Sequence, residues 1–350
     1  MRRTIALAVI GLGVLLLVAA GLLRWYAYPQ LAVAPHDTEA TTVSTGERVR
    51  ILDVAAVLAG RASVERVTDI TSTRGTVSLV DGMEGTVSDD DVAVWHTLVN
   101  NADARGQTVS ATESVVAFDR HTGAGVPGYS QTIDGEPVEH EGQILKFPFG
   151  TEKRDYDFWD ATVRAASPAV YEGEDEIDGL DVYRFVQTIQ PTVVEQIEVP
   201  GGLAGSDQDS VEAERVYANV RTLWVEPHTG VIIRGQEEQN SVLAYEGQDI
   251  ATVTQGTIAY TDETVASLID EYGDTASQLN LIRNTLPLVL GLLGLLGVAA
   301  GVLLLWTRHE PRHGARQEPA ADTSPESDVV PESEEEEASI LDFKARERAQ

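Results

Sequence analysis

The sequence predicts a β-dominated (α+β) antiparallel extracytoplasmic domain, open to barrel-like closure, anchored by an N-terminal and a C-terminal transmembrane helix. Two observations lead there. The first is a pair of apolar runs, Thr4 to Leu23 and Leu286 to Trp306, each free of charge and each long enough to span about 30 Å at roughly 1.5 Å per residue. The second is the stretch between them. Short runs rich in Val, Thr, Ile and Tyr recur there between Gly, Asp and Pro, the pattern of strands separated by turns.

The first apolar run follows Arg2 and Arg3, and Ala32-Val33-Ala34 resembles a signal-peptide cleavage site. Its apolar region is longer than a signal peptide carries, however, and Pro35 would follow the cut, so an uncleaved anchor is expected. Trp25, Tyr26 and Tyr28 then suit the outer interface and Trp306 the inner one. Arg2, Arg3, Arg308, Arg312 and Arg316 flank the helices on one side, against single Arg24 and Arg283 on the other. By the positive-inside rule both termini are cytoplasmic and the chain is a two-pass plasma-membrane protein. Four regions follow: a stub and helix over 1–24, an extracytoplasmic β-rich domain over 25–282, a second helix over 283–306, and a cytoplasmic tail over 307–350.

Within the outer region, strands are expected at Thr76 to Val80, Val92 to Val99, Thr108 to Phe118, Val182 to Thr188, Ala213 to Val225, Val231 to Ile233 and Ile250 to Tyr260. Leu52 to Leu58 reads as a short helix or strand, and Asp262 to Leu279 as a helix with an acidic start leading to the membrane. An internal echo links Asp119-Arg120-His121-Thr122-Gly123 with Glu226-Pro227-His228-Thr229-Gly230. Both read as turns in which the acid bonds the backbone and the glycine takes positive φ. Convergence of their histidines and carboxylates on a metal is the other reading, and the spacing gives no ground for it. Gly291, Gly294, Gly297 and Gly301 make a small-residue stripe on the second apolar helix, suited to close approach of the first. Beyond Gln317 the Pro-, Ser- and Glu-rich tail lacks the apolar residues to fold, and its end, Ser339 to Arg346, is a short apolar and basic island that a cytoplasmic protein can engage.

Charge and composition exclude whole classes. With 25 basic and 56 acidic residues the net charge is −31, which repels nucleic acid, and most of it sits in residues 25–282. The absence of cysteine removes disulfides, thiolate metal sites and cysteine nucleophiles. Catalytic motifs come close and fail: His140-Glu141 has Ile144 where a zinc-protease helix needs histidine, and Gly128-Tyr129-Ser130-Gln131-Thr132 lacks the closing glycine of a nucleophile elbow. Glu174, Glu176, Asp178 and Gly179 match half of a calcium loop, but Phe185 stands where its bidentate carboxylate belongs. Neither a metal nor a cofactor is therefore expected.

The segment Lys146 to Asp160 stands apart as a basic, aromatic island in an acidic domain, with five of the 21 aromatic residues and both lysines of the region. Lys146, Lys153, Arg154, Tyr156 and Trp159 are the candidate ligand-binding residues, rings supplying contact area and bases orienting an anionic head. The alternative is a core turn, with Phe147, Phe149, Phe158 and Trp159 buried and Lys153 and Arg154 paired to Asp155 or Asp157.

This island, with Tyr28-Pro29, Asp37-Thr38 and Gly179-Leu180-Asp181-Val182-Tyr183-Arg184-Phe185, resembles an uncharacterised actinobacterial envelope family called porin PorA-like, over both apolar helices and the region between. The family name implies a pore. A spanning β-barrel needs lipid-facing apolar strands, whereas the apolar spans here are helical, so a β-pore is not expected. Gly179 to Phe185 and Trp224 to Gly230 are also similar to strands of class B scavenger receptors, which implies two terminal anchors and a β-rich domain with a lipid tunnel. Those receptors depend on disulfides and glycosylation, so only the topology carries over. The expectation is a non-enzymatic envelope protein, partnered by the bilayer, that binds or passes a lipid or other apolar ligand. The alternative is a scaffold or signalling adaptor binding protein or peptidoglycan outside and a cytoplasmic protein through its tail.

Overall fold

The computed structural model describes residues 2–61, 63–79 and 90–307. The expected disordered tail, with its Ser339 to Arg346 island, lies outside the described residues. The chain opens with α1 (Arg2–Leu22), which runs on through Leu23–Ala27 into α2 (Tyr28–Leu31). There follow β1 (Glu39–Leu52), α3 (Val54–Leu58), β2 (Glu65–Ser78), β3 (Val92–Asp103) and β4 (Thr108–Asp119). Two-residue strands β5 (Thr132–Ile133) and β6 (Glu136–Pro137) precede β7 (Tyr156–Asp160), β8 (Ala165–Ile177), β9 (Leu180–Pro200), β10 (Ser210–Val225), β11 (Ile232–Tyr245) and β12 (Gln248–Tyr260). The chain then enters α4 (Asp262–Asn280) and, through Leu281–Thr285, α5 (Leu286–Trp306).

Local chemistry explains the boundaries. Asp53 Oδ1 accepts from Ala56 N at 3.0 Å, so Leu52 ends a strand and Asp53 caps a short helix. Thr261 caps α4 by accepting from Thr264 N. Asp178-Gly179 joins β8 to β9 with φ of 48° and 84°, the primed two-residue turn whose twist matches the strands. The half-matched calcium loop is therefore occupied by a hairpin turn.

All twelve strands form one antiparallel sheet in the order β6-β5-β4-β3-β2-β1-β12-β11-β10-β9-β8-β7. Each strand pairs with its sequence neighbour except at β1 and β12, where Arg50 lies opposite Gln255 and Ile51 opposite Thr254. The first and last strands are thus adjacent. This is why α1 and α5 also meet, with Arg24 Nη1 donating to Arg283 O at 2.8 Å. Residues 142–144 join edge strand β7 to the turn that follows β4. Gln143 N donates to Asp157 O at 2.7 Å and Gln143 O accepts from Trp159 N at 2.8 Å, while Gly125 N and Ile144 N tie the same segment to the end of β4. The sheet therefore rolls around an interior to which strands from both of its halves contribute.

β1 up to Leu52 and all of β8 form where the sequence predicted no strand, and β9 and β11 run far past Thr188 and Ile233. Those stretches carry exposed Glu172, Glu174, Glu176 and Glu238, residues that favour strands poorly by themselves. Ladder bonds to both neighbouring strands, such as Ala169 to Gln187 and Glu214 to Ala244, override that preference.

Two helices, over Arg2–Leu31 and Asp262–Trp306, are long and apolar enough to cross a membrane. Their apolar parts pack antiparallel through small residues. A Cβ at Gly13 would lie 2.7 Å from Gly294 O and 2.8 Å from Val298 N, and Gly301 abuts Ile10 and Ala6. Gly294, Gly297 and Gly301 of the predicted stripe face α1, whereas Gly291 faces open space. A Gly13→Leu substitution should force the pair apart. Spin labels at Arg3 and Leu304 are expected to separate by several ångströms in that variant, and an unchanged distance would contradict this packing.

Candidate functional site

Two cavities occupy the β-body. The inner one, about 300 Å³, is lined from β1 to β4, β7 and β10 to β12, together with His140, Ile144 and Leu145. Its wall follows the strand period of two: Thr97, Val99 and Asn101 on β3, and Ser110, Thr112 and Ser114 on β4. The outer one, about 220 Å³, lies where the segment from Leu31 to Thr42 and helix α4 meet the Leu145 to Phe149 loop. Leu31, Val33, Leu268 and Tyr272 make much of its wall. Thr42, Arg74, Leu145, Ile232 and Tyr260 line both cavities, so the two adjoin. Each falls near or within the range of roughly 300–1,000 Å³ of small-molecule sites.

A buried ionic network braces the inner cavity. The Arg221 side chain is 12% exposed and holds Asp160 through Nη2 at 2.9 Å and Glu237 through Nε at 2.8 Å. Its Nη1 donates to Gln187 Oε1 at 2.6 Å. Burial disfavours the guanidinium charge, but Glu237 and Asp160 outweigh it and raise the pKa of Arg221. Burial likewise opposes the Glu237 charge, yet Arg221 prevails and the carboxyl sits below its usual range. Full hydrogen bonding is what lets such a pair persist away from water.

His140 lines the same cavity and is pushed down to about 4 by burial. Gln131 Nε2 donates to Val126 O and Gly128 O, which turns its Oε1 toward His140 Nδ1 at 2.8 Å. His140 is therefore neutral with its proton on Nδ1, and Nε2 is left as an acceptor.

The two echoed turns come together on the loop that carries the island. Asp119 accepts from His121 N and Thr122 N, and Glu226 accepts from His228 N and Thr229 N, as the turn reading requires. Phe147 N donates to Gly230 O, Phe149 N to His121 O and Gly150 N to His228 O. Gly230, at φ 73°, abuts Phe147 O so closely that no Cβ fits. The turns grip the loop through their backbones, and among the described residues no group of three metal-ligating side chains forms.

The island's five candidate residues are distributed over three environments. Lys146 is buried and lines the outer cavity; Trp159 is buried and lines the inner one. Tyr156 packs in the core with Phe147 at 5.4 Å and Phe185 at 5.9 Å between ring centres, its hydroxyl accepting from Glu152 N. Lys153 and Arg154 stand on the outer surface, paired with the carboxylates of Glu174 and Glu152 rather than those of Asp155 or Asp157, although Arg154 Nη1 also donates to the Asp155 carbonyl at 3.4 Å. The structure thus brings Lys146 and Trp159 to the cavities and leaves Lys153, Arg154 and Tyr156 outside both linings. Sequence reasoning missed Arg74, Trp95, Tyr260, Leu268 and Tyr272. Alternating Ser and Thr along Thr108 to Phe118 was the one available signal of a solvated inner wall.

Lys146 is the described lysine whose ammonium is enclosed. Its Nζ is buried without a hydrogen-bond partner and sits 3.6 Å from the centre of the Phe149 ring. Burial pushes the ammonium down to about 7, with Asp119 working in the opposite direction.

A rolled antiparallel sheet whose neighbouring first and last strands carry paired apolar helices, with adjoining cavities inside, defines a helix-flanked β protein. The chain belongs to the Porin PorA family, whose model matches residues 5–303, and the resemblance read from the sequence is borne out. It is 27% identical over 412 residues to a Porin PorA of Corynebacterium resistens, covering 89% of this chain and 99% of that protein. A Porin PorA of Corynebacterium amycolatum is 24% identical over 380 residues, covering 86% and 98%.

The Lys146 environment sets a pH dependence. The unfolded lysine titrates near 10.5 and the folded one near 7, so below 10.5 the unfolded state binds more protons and stability falls as pH drops toward 7. Lys146→Met removes a charged group buried without a partner, a burden of about 1–3 kcal/mol. Thermal melts of that variant should lie above wild type at pH 6 and 7, with the difference vanishing as pH approaches 10.5.

Proposed function

We propose that the protein is a two-pass membrane protein of the cell envelope whose rolled sheet, held outside the membrane, binds or passes a lipid or similar apolar ligand without chemistry. The observation that carries this reading is the adjoining pair of cavities, the outer one walled by Leu31 and Val33 just after the first apolar helix and by Leu268 and Tyr272 just before the second. A molecule leaving the bilayer along the helices meets that apolar opening first.

The relatives' name, porin, speaks of passage. Passage here would follow the interior of the sheet, because the outer faces of β8, β10 and β11 carry exposed Glu172, Glu174, Glu176, Glu212, Glu214 and Glu238, unsuited to face lipid. Crossing the membrane then falls to the helices, which satisfy their own backbone bonds. Exposed Trp25, Tyr26 and Trp306 fit the two interfaces. The Ser, Thr and Asn wall of the inner cavity favours a second reading, passage of a small polar solute.

Both parts are testable. Because the chain has no cysteine, single cysteines report topology cleanly: Thr222→Cys should react with a membrane-impermeant maleimide on intact cells and Arg3→Cys only after lysis. Native mass spectrometry of the full-length protein, purified from an actinobacterial host, should show a stoichiometric lipid. An empty protein that instead conducts ions in a planar bilayer would replace the lipid reading with the solute one.

A further inference from the structure

We propose that the outer cavity is a binding site for a single-chain lipid carboxylate, with Lys146 Nζ and Trp95 Nε1 holding the head and Leu31, Val33, Leu268 and Tyr272 flanking the chain. The inference rests on the lipid reading above and specifies its head group and its site.

Two buried donors without partners carry it. Lys146 Nζ and Trp95 Nε1 are both enclosed and both without an acceptor, and both belong to residues that line the same cavity. Buried polar groups are almost always satisfied, and a bare ammonium is among the costliest exceptions. The Phe149 ring face beneath Lys146 returns part of that cost through cation–π attraction but accepts no hydrogen bond in the way an oxygen does. Two donors call for two acceptor oxygens, and the positive one calls for negative charge, which together describe a carboxylate. Arg74 on the same lining adds to the positive field, while Asp119, the acid felt by Lys146, has its Oδ1 engaged by the turn it caps.

The remaining wall selects the rest of the ligand. Leu31, Val33, Leu268 and Tyr272 offer apolar contact, and the cavity, about 220 Å³ and open on one side, admits part of one chain, whereas a two-chain phospholipid exceeds it. Binding the carboxylate supplies the missing acceptors and keeps the Lys146 ammonium charged.

The test uses full-length protein, delipidated and held in detergent, with palmitate and hexadecanol as probes that share a chain and differ in head. Palmitate should bind at least about tenfold tighter than hexadecanol, the scale of one charge-assisted hydrogen bond. Lys146→Met should weaken palmitate by about tenfold or more and leave hexadecanol unchanged. Trp95→Phe, which keeps the ring and removes the N–H, should weaken palmitate by a smaller factor and stands as the test if Lys146→Met fails to fold. Equal binding of the two probes to wild type, or palmitate affinity unmoved by the variants, overturns the head-group assignment and leaves the lipid reading standing. Failure of both probes to bind defeats the lipid reading itself.

Discussion

The main chain of residues 142–150 is the constraint on which the β-body depends. Twelve antiparallel strands in a row leave two edges, and open edges expose unpaired amides. Gln143 bonds to edge strand β7 on one side while Gly142 and Ile144 bond Gly125 and Gly123, just past β4, on the other, so this short segment bridges the two halves of the rolled sheet. The same segment then passes between the two echoed turns, surrendering the amides of Phe147, Phe149 and Gly150 to Gly230, His121 and His228. Because both turns are stiffened by their own capping carboxylates, the loop has one conformation available to it, and Phe147 is driven into the core against Phe185 and Phe158 at 4.6 and 5.5 Å.

That placement has consequences at both ends. Arg283, at the entry to α5, lies against Gly150, donates to the Tyr28 hydroxyl at 3.1 Å and covers its ring. The β-body, the segment after α1 and the segment before α5 are thereby fastened at one point. The glycine-lined helix pair extends the same junction, since β1 and β12 are neighbours and hand their flanking helices to each other. Toward the interior, Leu145 of the same segment lines both cavities and Lys146 lines the outer one. Closing the sheet, joining the helices and shaping the outer cavity are one structural act.

The interior follows from what closure encloses. Inward positions of β3 and β4 carry Ser, Thr and Asn, and the opposite wall carries Arg221 with Asp160 and Glu237, so polar groups line the space they surround, beside a buried Trp159 whose Nε1 has no partner. The space nearer the helices is apolar and contains donors left without partners.

The sequence alone determined the apolar helices, the antiparallel β character, the capped turns at Asp119 and Glu226, and membership of the family, because each is written in local periodicity or short motifs. Within the island it offered two readings and could not apportion its residues, since Lys146, Lys153 and Arg154 are chemically alike along the chain. Tertiary structure made the division: outward-facing Lys153 and Arg154 found carboxylates, whereas Lys146 was carried inward by a loop fixed through contacts with residues 120–123 and 228–230. The cavities were illegible for the same reason. Their walls are assembled from eight strands far apart in the chain, and only closure of the sheet decides which face of each strand is inside.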